Sequence, residues 1–328
     1  MSLLHSKHEK YFNRCLVALP SQASSEDSNK LAIIYFCLQG LIILNKFNFS
    51  KEECKYHENF IWSDFYFEDD EIASFRSTSY FKDLGRYDFG NLSACFFAIV
   101  SLISLGSDLK RLNREKLMKY LGKCQTKEGG FIPSKFGEPD LRQCYMALLI
   151  RQIINNDVNT NNDIDLKSLE AFILERLNFN GGFSSTILDE SHLGYTFCAI
   201  ASLKMLNYPL DKLKNTRNWL LHRQADSDGG FDGRENKLTD TCYSWWCTGS
   251  LALLGDENLK LFNHEKAESY LLEKTQNSVV GGFSSRPDAT PDPLHSFLAL
   301  ASLSLWNHKK FQLNEINPLY VICKKNIN

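Results

Sequence analysis

The chain has 328 residues, with 37 Lys and Arg against 39 Asp and Glu, for a formal charge of −2. That balance argues against a chain that lives on phosphate backbones or anionic bilayers, so no nucleic-acid binding is expected. Apolar stretches such as Cys95–Leu105 fall well below the roughly 18 residues of a spanning helix, so stable membrane insertion is not expected either. A 43% hydrophobic and 12% aromatic content excludes broad disorder, and ten cysteines without an apolar leader read as reduced thiols in a cytoplasmic protein.

In chain order, two helical pairs come first: His8–Leu19 with Lys30–Asn45, then Glu58–Phe67 with Leu92–Leu105. Four more regular pairs follow. Their first members, Asn113–Gln125, Leu166–Leu177, Leu210–Gln224 and His264–Gln276, are amphipathic. Each runs into a Gly-Gly-Phe whose first glycine is Gly129, Gly181, Gly229 or Gly281, at intervals of 52, 48 and 52 residues. After a loop of about ten residues come the second members, Leu141–Ile154, His192–Leu206, Thr241–Leu254 and Leu294–Trp306. These are apolar on nearly every side and must be buried all round. An even repeat of this length is one supersecondary unit stacked on copies of itself. Six alternations of a wet and a dry helix predict an all-α fold, a closed ring of six helical hairpins with the dry helices inside. That is an α/α toroid, or closed α-α barrel, spanning 1–328 as a single domain; an open array would leave the inner helices bare. The paired glycines end the outer helices and permit positive φ.

Equivalent loop positions of such a ring share one rim. Eleven residues beyond the first glycines stand Asp140, His192, Asp240 and Asp292. Helix capping accounts for Asp140 and Asp292. Asp240 is different, because Cys242 lies two residues on and His295 follows Cys242 by 53 residues, almost one repeat period. One oxygen, one sulfur and one nitrogen donor therefore converge, a set that zinc accepts, with three protein ligands and an open position in catalytic sites. Arg234 and Lys237 project from the loop leading into Asp240, and His192 and Tyr243 stand at the same level. Two cations with two switchable donors suit a diphosphate. Tyr195, Phe197, Trp245 and Trp246 follow on the inner helices. A cationic mouth above an aromatic funnel fits an amphipathic lipid diphosphate.

The run from Gly229 to Trp246 closely resembles the β subunits of the protein prenyltransferases. The segments Asp140–Arg142, Glu190–Cys198 and Asp292–His295 support the likeness, and the stretches His8–Pro20 and Lys30–Gly40 look most like the type I geranylgeranyltransferases. The resemblance implies one Zn²⁺ per chain held by Asp240, Cys242 and His295, with the fourth position left for the cysteine thiol of a CaaX protein. It implies that Tyr243 joins these three in catalysis, and that His192, Arg234, Lys237 and Tyr243 hold the diphosphate. Trp246, Tyr195, Cys198 and Ala32 match positions along the isoprenoid, and Arg142, Phe36 and Leu294 match positions at the CaaX peptide. The implied activity is transfer of a geranylgeranyl group from geranylgeranyl diphosphate to CaaX-terminated small GTPases of the Rho and Rac kind. The implied partner is a helical-repeat α subunit in an obligate heterodimer.

Some positions depart from the pattern. Ser285 and Arg286 stand where relatives use an Asp linked to Mg²⁺ or a Lys that replaces it, which leaves Mg²⁺ use open. Leu298 replaces an aromatic residue, and Gln143 and Asn91 leave the terminal-residue preference open. Ala32 stands where a bulky Trp shortens the acceptable lipid, which implies the longer isoprenoid. Farnesyltransferase and Rab geranylgeranyltransferase β subunits are the alternatives within the class. A toroidal binding scaffold is the alternative outside it and predicts no bound metal. Triterpene cyclases are set aside for lack of a DxDD motif.

Overall fold

The computed structural model describes residues 2–19, 21–154 and 163–326. Its elements in chain order are α1 (His5–Val17), α2 (Lys30–Ile43), α3 (Lys51–Phe65), β1 (Tyr66–Glu68), β2 (Ala73–Phe75), α4 (Leu92–Ser104), α5 (Arg114–Cys124) and α6 (Leu141–Ile154). There follow α7 (Leu166–Leu174), α8 (Leu193–Met205), α9 (Lys214–Leu221), α10 (Thr241–Leu254), α11 (His264–Ser269), β3 (Phe283–Ser284), β4 (Pro291–Asp292), α12 (Pro293–Asn307), β5 (Ile316–Asn317) and β6 (Ile322–Cys323). The strands form three antiparallel two-stranded ribbons. Among the described residues no helix is long and apolar enough to cross a membrane.

The inner helices match their expected bounds to within a residue or two, and the outer ones depart where local chemistry intervenes. α3 starts seven residues before Glu58, because Ser50 and Glu53 form a reciprocal cap: the Glu53 N–H donates to Ser50 Oγ at 3.1 Å and the Ser50 N–H to Glu53 Oε2 at 2.7 Å. The expected helix Leu210–Gln224 is broken into a 3-10 turn, Leu210–Lys212, and α9. The expected His264–Gln276 passes from α11 into a wider π turn over Tyr270–Thr275.

Residues pack into two compact units. One comprises Pro20–Tyr35 and Asn48–Glu175, the other Met1–Leu19, Phe36–Phe47 and Arg176–Asn328. In the first, α4 packs on α6 and the buried Arg76 guanidinium donates to both carboxylate oxygens of Asp88, at 2.7 and 3.0 Å. In the second, α10 lies between α8 and α12, and Phe197, Trp245, Tyr270 and Phe297 are wholly buried. Two hydroxyls on these dry helices bond along their own helix: Thr248 Oγ1 donates to the Ser244 carbonyl at 2.6 Å, and Ser302 Oγ to that of Leu298 at 2.8 Å.

The Gly-Gly-Phe turns explain the repeat. In the third, the Ala225 N–H donates to the Gly230 carbonyl at 2.8 Å, and Gly229 has φ 81°. A Cβ on Gly229 would lie 2.5 Å from the Lys266 carbonyl oxygen in α11, the next outer helix. The fourth turn does the same against the chain's beginning: a Cβ on Gly281 would lie 2.3 Å from the Lys7 carbonyl oxygen in α1. The N-terminal helix thus takes the place of a next outer helix. His8 locks it there, with Nε2 2.9 Å from Gln276 Oε1, Nδ1 accepting the Gly282 N–H at 2.9 Å, and its ring stacked 4.8 Å from that of Phe283.

Candidate active site

Asp240 precedes α10 in extended conformation and caps it, accepting the Cys242 N–H at 2.9 Å. Its second task follows from that pose. The His295 imidazole donates from Nε2 to Asp240 Oδ1 at 3.1 Å and from Nδ1 to Asp292 Oδ2 at 2.5 Å. Asp292 ends β4, caps α12, and receives the His295 N–H on Oδ1 at 3.0 Å. The two helix starts are tied together through the loop between them: the Thr241 N–H donates to the Ser285 carbonyl at 2.8 Å, and Thr241 Oγ1 to that of Ser284 at 2.7 Å. Ligand atoms of Asp240, Cys242 and His295 all lie within 4.8 Å of one another.

The proton states of this trio follow from its mutual contacts. Burial opposes a charge on His295, but hydrogen bonds to Asp240 and Asp292 push its pKa up to about 12. Burial raises Asp240, but the His295 hydrogen bond and charge outweigh it, leaving the carboxyl below its ordinary value. Burial pushes the Cys242 thiol up to about 12. A metal ion at the same place would displace the Nε2 proton and the thiol proton together. Nδ1 would keep its bond to Asp292, which is how metal-bound histidines are oriented. One carboxylate, one thiolate and one aimed imidazole fit zinc.

Next to the trio, His192 caps α8 with its own ring: the Gly194 N–H donates to Nδ1 at 3.0 Å. With Nδ1 accepting, the neutral ring carries its proton on Nε2, which lies 3.1 Å from Tyr243 Oη. The Tyr243 hydroxyl, raised to about 12 chiefly by burial, keeps its own proton to donate elsewhere. Gly233 makes room for that phenol, since a Cβ there would lie 2.0 Å from Tyr243 Cζ. The Gly233 carbonyl accepts the Leu193 N–H at 3.0 Å, fixing the loop to α8.

The expected cations lie at the surface of their loop. Arg234 pairs with Glu190 at 3.2 Å, both half-exposed, while Lys237 is exposed. An exposed pair is worth about 0–1 kcal/mol, so Arg234 exchanges partners at little cost. Trp246 packs its ring 5.1 Å from Phe197, Tyr195 meets His192 edge-on at 5.5 Å, and Cys198 is buried one position beyond Phe197. Phe36 stacks on Phe297 at 5.7 Å, and half-exposed Leu294 opens α12 beside His295. Arg142 and Ala32 belong to the other unit. There Arg142 folds back onto Asp140 at 2.7 Å, and Ala32 is half-exposed on α2. Ser285 uses its carbonyl on α10, and Arg286 is exposed. Capping alone is an incomplete account of Asp292, which also aims His295. A carboxylate three residues before the histidine was the available signal.

Comparison with known proteins places this geometry. Residues 3–322 match the prenyltransferase alpha-alpha toroid domain. The chain is 30% identical to the geranylgeranyl transferase type-1 subunit beta of Arabidopsis thaliana, over 91% of this chain and 84% of that protein. It is also 30% identical to the subunit of the same name from Dictyostelium discoideum, over 97% and 95%. A solved structure of Candida albicans protein geranylgeranyltransferase-I complexed with GGPP is 56% identical, with a TM-score of 0.96, covering 100% of this chain and 98% of that one. The chain belongs to the prenyltransferase alpha-alpha toroid family, and within it is similar to the geranylgeranyltransferase type I β subunits.

Proposed function

We propose that this chain is the catalytic β subunit of a zinc-dependent protein geranylgeranyltransferase type I. The observation that carries the reading is the end-to-end likeness, at 56% identity, to a geranylgeranyltransferase-I structure, with Asp240, Cys242 and His295 gathered in one place. Both compact units belong to one toroid domain in this reading. Asp240, Cys242 and His295 hold Zn²⁺, which when bound supplies a positive charge that lowers the pKa of an incoming thiol toward neutrality. The thiol is the cysteine of a CaaX-terminated small GTPase, and its sulfur attacks C1 of geranylgeranyl diphosphate.

The chain's own groups do the rest. Asp292 orients His295. Tyr243, whose phenolic oxygen is engaged by His192, donates its hydroxyl proton in a hydrogen bond to the departing diphosphate. Arg234, released from Glu190, and Lys237 neutralise the charge that develops on it. Trp246 and Tyr195 border the isoprenoid, and Ala32 leaves room for its fourth unit. Arg142, Phe36 and Leu294 meet the peptide. A helical-repeat α subunit completes the enzyme in the cytoplasm.

The deciding experiment is a transfer assay with the α subunit and a CaaX peptide ending in Leu, comparing twenty- and fifteen-carbon diphosphates. Preference for the twenty-carbon lipid is expected; preference for the fifteen-carbon one overturns the type I reading, and no transfer with either overturns the enzyme reading.

A further inference from the structure

Outside the metal trio, two thiols meet across the first helical hairpin. The helices α1 and α2 approach closely at Gly40, where an added Cβ would lie 2.5 Å from the Phe12 ring. Three residues beyond Phe12 is Cys15, and three before Gly40 is Cys37. In helices running opposite ways those two positions face each other, and the two thiols interact directly. Cys15 is half-exposed and Cys37 wholly buried. Tyr11, one turn before Cys15, also hydrogen-bonds the Cys15 sulfur. The Tyr11 ring lies beside Pro291 around Gly282, next to the Asp292 that aims His295.

We propose that Cys15 and Cys37 are a peroxide-oxidised dithiol, with Cys15 the attacking sulfur and Cys37 the resolving one. The division of labour follows from access, since the exposed partner alone meets the oxidant. It also follows from the local field. Hydrogen bonds from Cys37 and Tyr11, together with the Arg14 charge, hold the Cys15 thiol below its ordinary pKa against burial and the Asp292 carboxylate. Burial pushes Cys37 up. A thiolate beside a protonated thiol sets the peroxide-reactive sulfur next to a partner that carries the proton needed by the departing hydroxyl.

The Cys15 thiolate attacks one oxygen of hydrogen peroxide and breaks the O–O bond. The other oxygen leaves as hydroxide and takes up a proton to become water, and Cys15 is oxidised by two electrons to the sulfenic acid. Cys37 then attacks the Cys15 sulfur, its thiol proton joining the departing hydroxyl as a second water while the S–S bond forms. Two thiols and one peroxide give one disulfide and two waters. No atom of the metal trio takes part.

The test exposes the full chain to a small excess of hydrogen peroxide, blocks remaining thiols, and maps unreduced peptides by mass spectrometry. A Cys15–Cys37 linked peptide is expected, reversed by dithiothreitol and forming on the order of tenfold faster than any change at Cys54, the half-exposed cysteine of α3. In Cys37→Ser, the Cys15 sulfenic acid is expected to accumulate as a dimedone adduct. Wild-type chain in which Cys15 reacts no faster than Cys54, or in which Cys15 oxidises without linking to Cys37, overturns the proposal.

Discussion

Asp292 and His295 are joined twice, backbone N–H to Oδ1 at 3.0 Å and Nδ1 to Oδ2 at 2.5 Å, so one carboxylate both starts α12 and aims the imidazole. Asp292→Ala is expected to remove a cap worth about 1 kcal/mol. It is also expected to weaken metal affinity by about 10- to 100-fold, through an imidazole free to rotate. Zinc competition against a chromophoric chelator measures the second effect apart from the first. Unchanged affinity means that α12 alone fixes the ring.

Cys242→Ala, or removal of zinc by chelation, is expected to abolish transfer while sparing binding of the isoprenoid diphosphate. Melting temperature should change little on metal removal, because the surrounding stability comes from the packing of α8, α10 and α12. Full turnover in a rigorously zinc-free preparation contradicts the metal assignment.

Tyr243→Phe keeps the ring and loses the hydroxyl whose oxygen His192 engages. A fall in kcat on the order of 10²-fold is expected, with the lipid's affinity changed much less. Gly233→Ala should reproduce that fall, since its Cβ would displace the phenol. It should also cost about 1–3 kcal/mol through overpacking. Single-turnover kinetics separate these effects, and normal kcat in both variants removes Tyr243 from the reaction.

Ala32→Trp is expected to shift preference toward the fifteen-carbon lipid. Each buried methylene contributes about 0.8 kcal/mol, so the five additional carbons carry ample discrimination. An unchanged ratio of kcat/KM for the two lipids places the end of the funnel elsewhere.

His8 is wholly buried, and burial lowers its pKa to about 4, against a gain from the Gln276 hydrogen bond. The unfolded chain, with His8 at its ordinary value near 6.5, binds the extra proton first as pH falls. Stability from the neutral ring is therefore complete above about pH 6.5 and lost progressively down to about pH 4. Between pH 7 and pH 5 the wild type should lose about 2 kcal/mol more than His8→Gln. Urea titrations at the two values test this; parallel losses show that His8 is protonated in the folded chain.

The dry helices were legible because burial on all sides leaves a run with no polar face, and α6 and α10 begin and end where their apolar residues do. Outer helices carry less of this signal. The start of α3 depends on two side chains, Ser50 and Glu53, and the break before α9 depends on local turn geometry that periodicity does not record. The trio was legible because the repeat converts a spacing of 53 residues into adjacency. What escaped were Glu190 on Arg234 and Tyr243 over Gly233, pairings that no period relates. Asp292 on His295 is local, three residues apart, and escaped because capping by itself accounts for a carboxylate at that position.

The seating of the fourth glycine turn on α1 sets an order of events in the cell. Gly282 and His8 are 274 residues apart, and Gln276 and His8 268 apart. At about 5–20 residues per second, the ribosome needs roughly 15–50 s to make the partner of a helix it finished first. Throughout that time His8 and Tyr11, both buried in the finished protein, lack the Gln276, Gly282 and Pro291 surface they will meet. Contacts of such separation also form slowly once the chain is complete. A helix made so long before its partner is therefore among the last to settle, and a nascent chain of this kind needs shelter over α1 until Gln276 and Gly282 have been made.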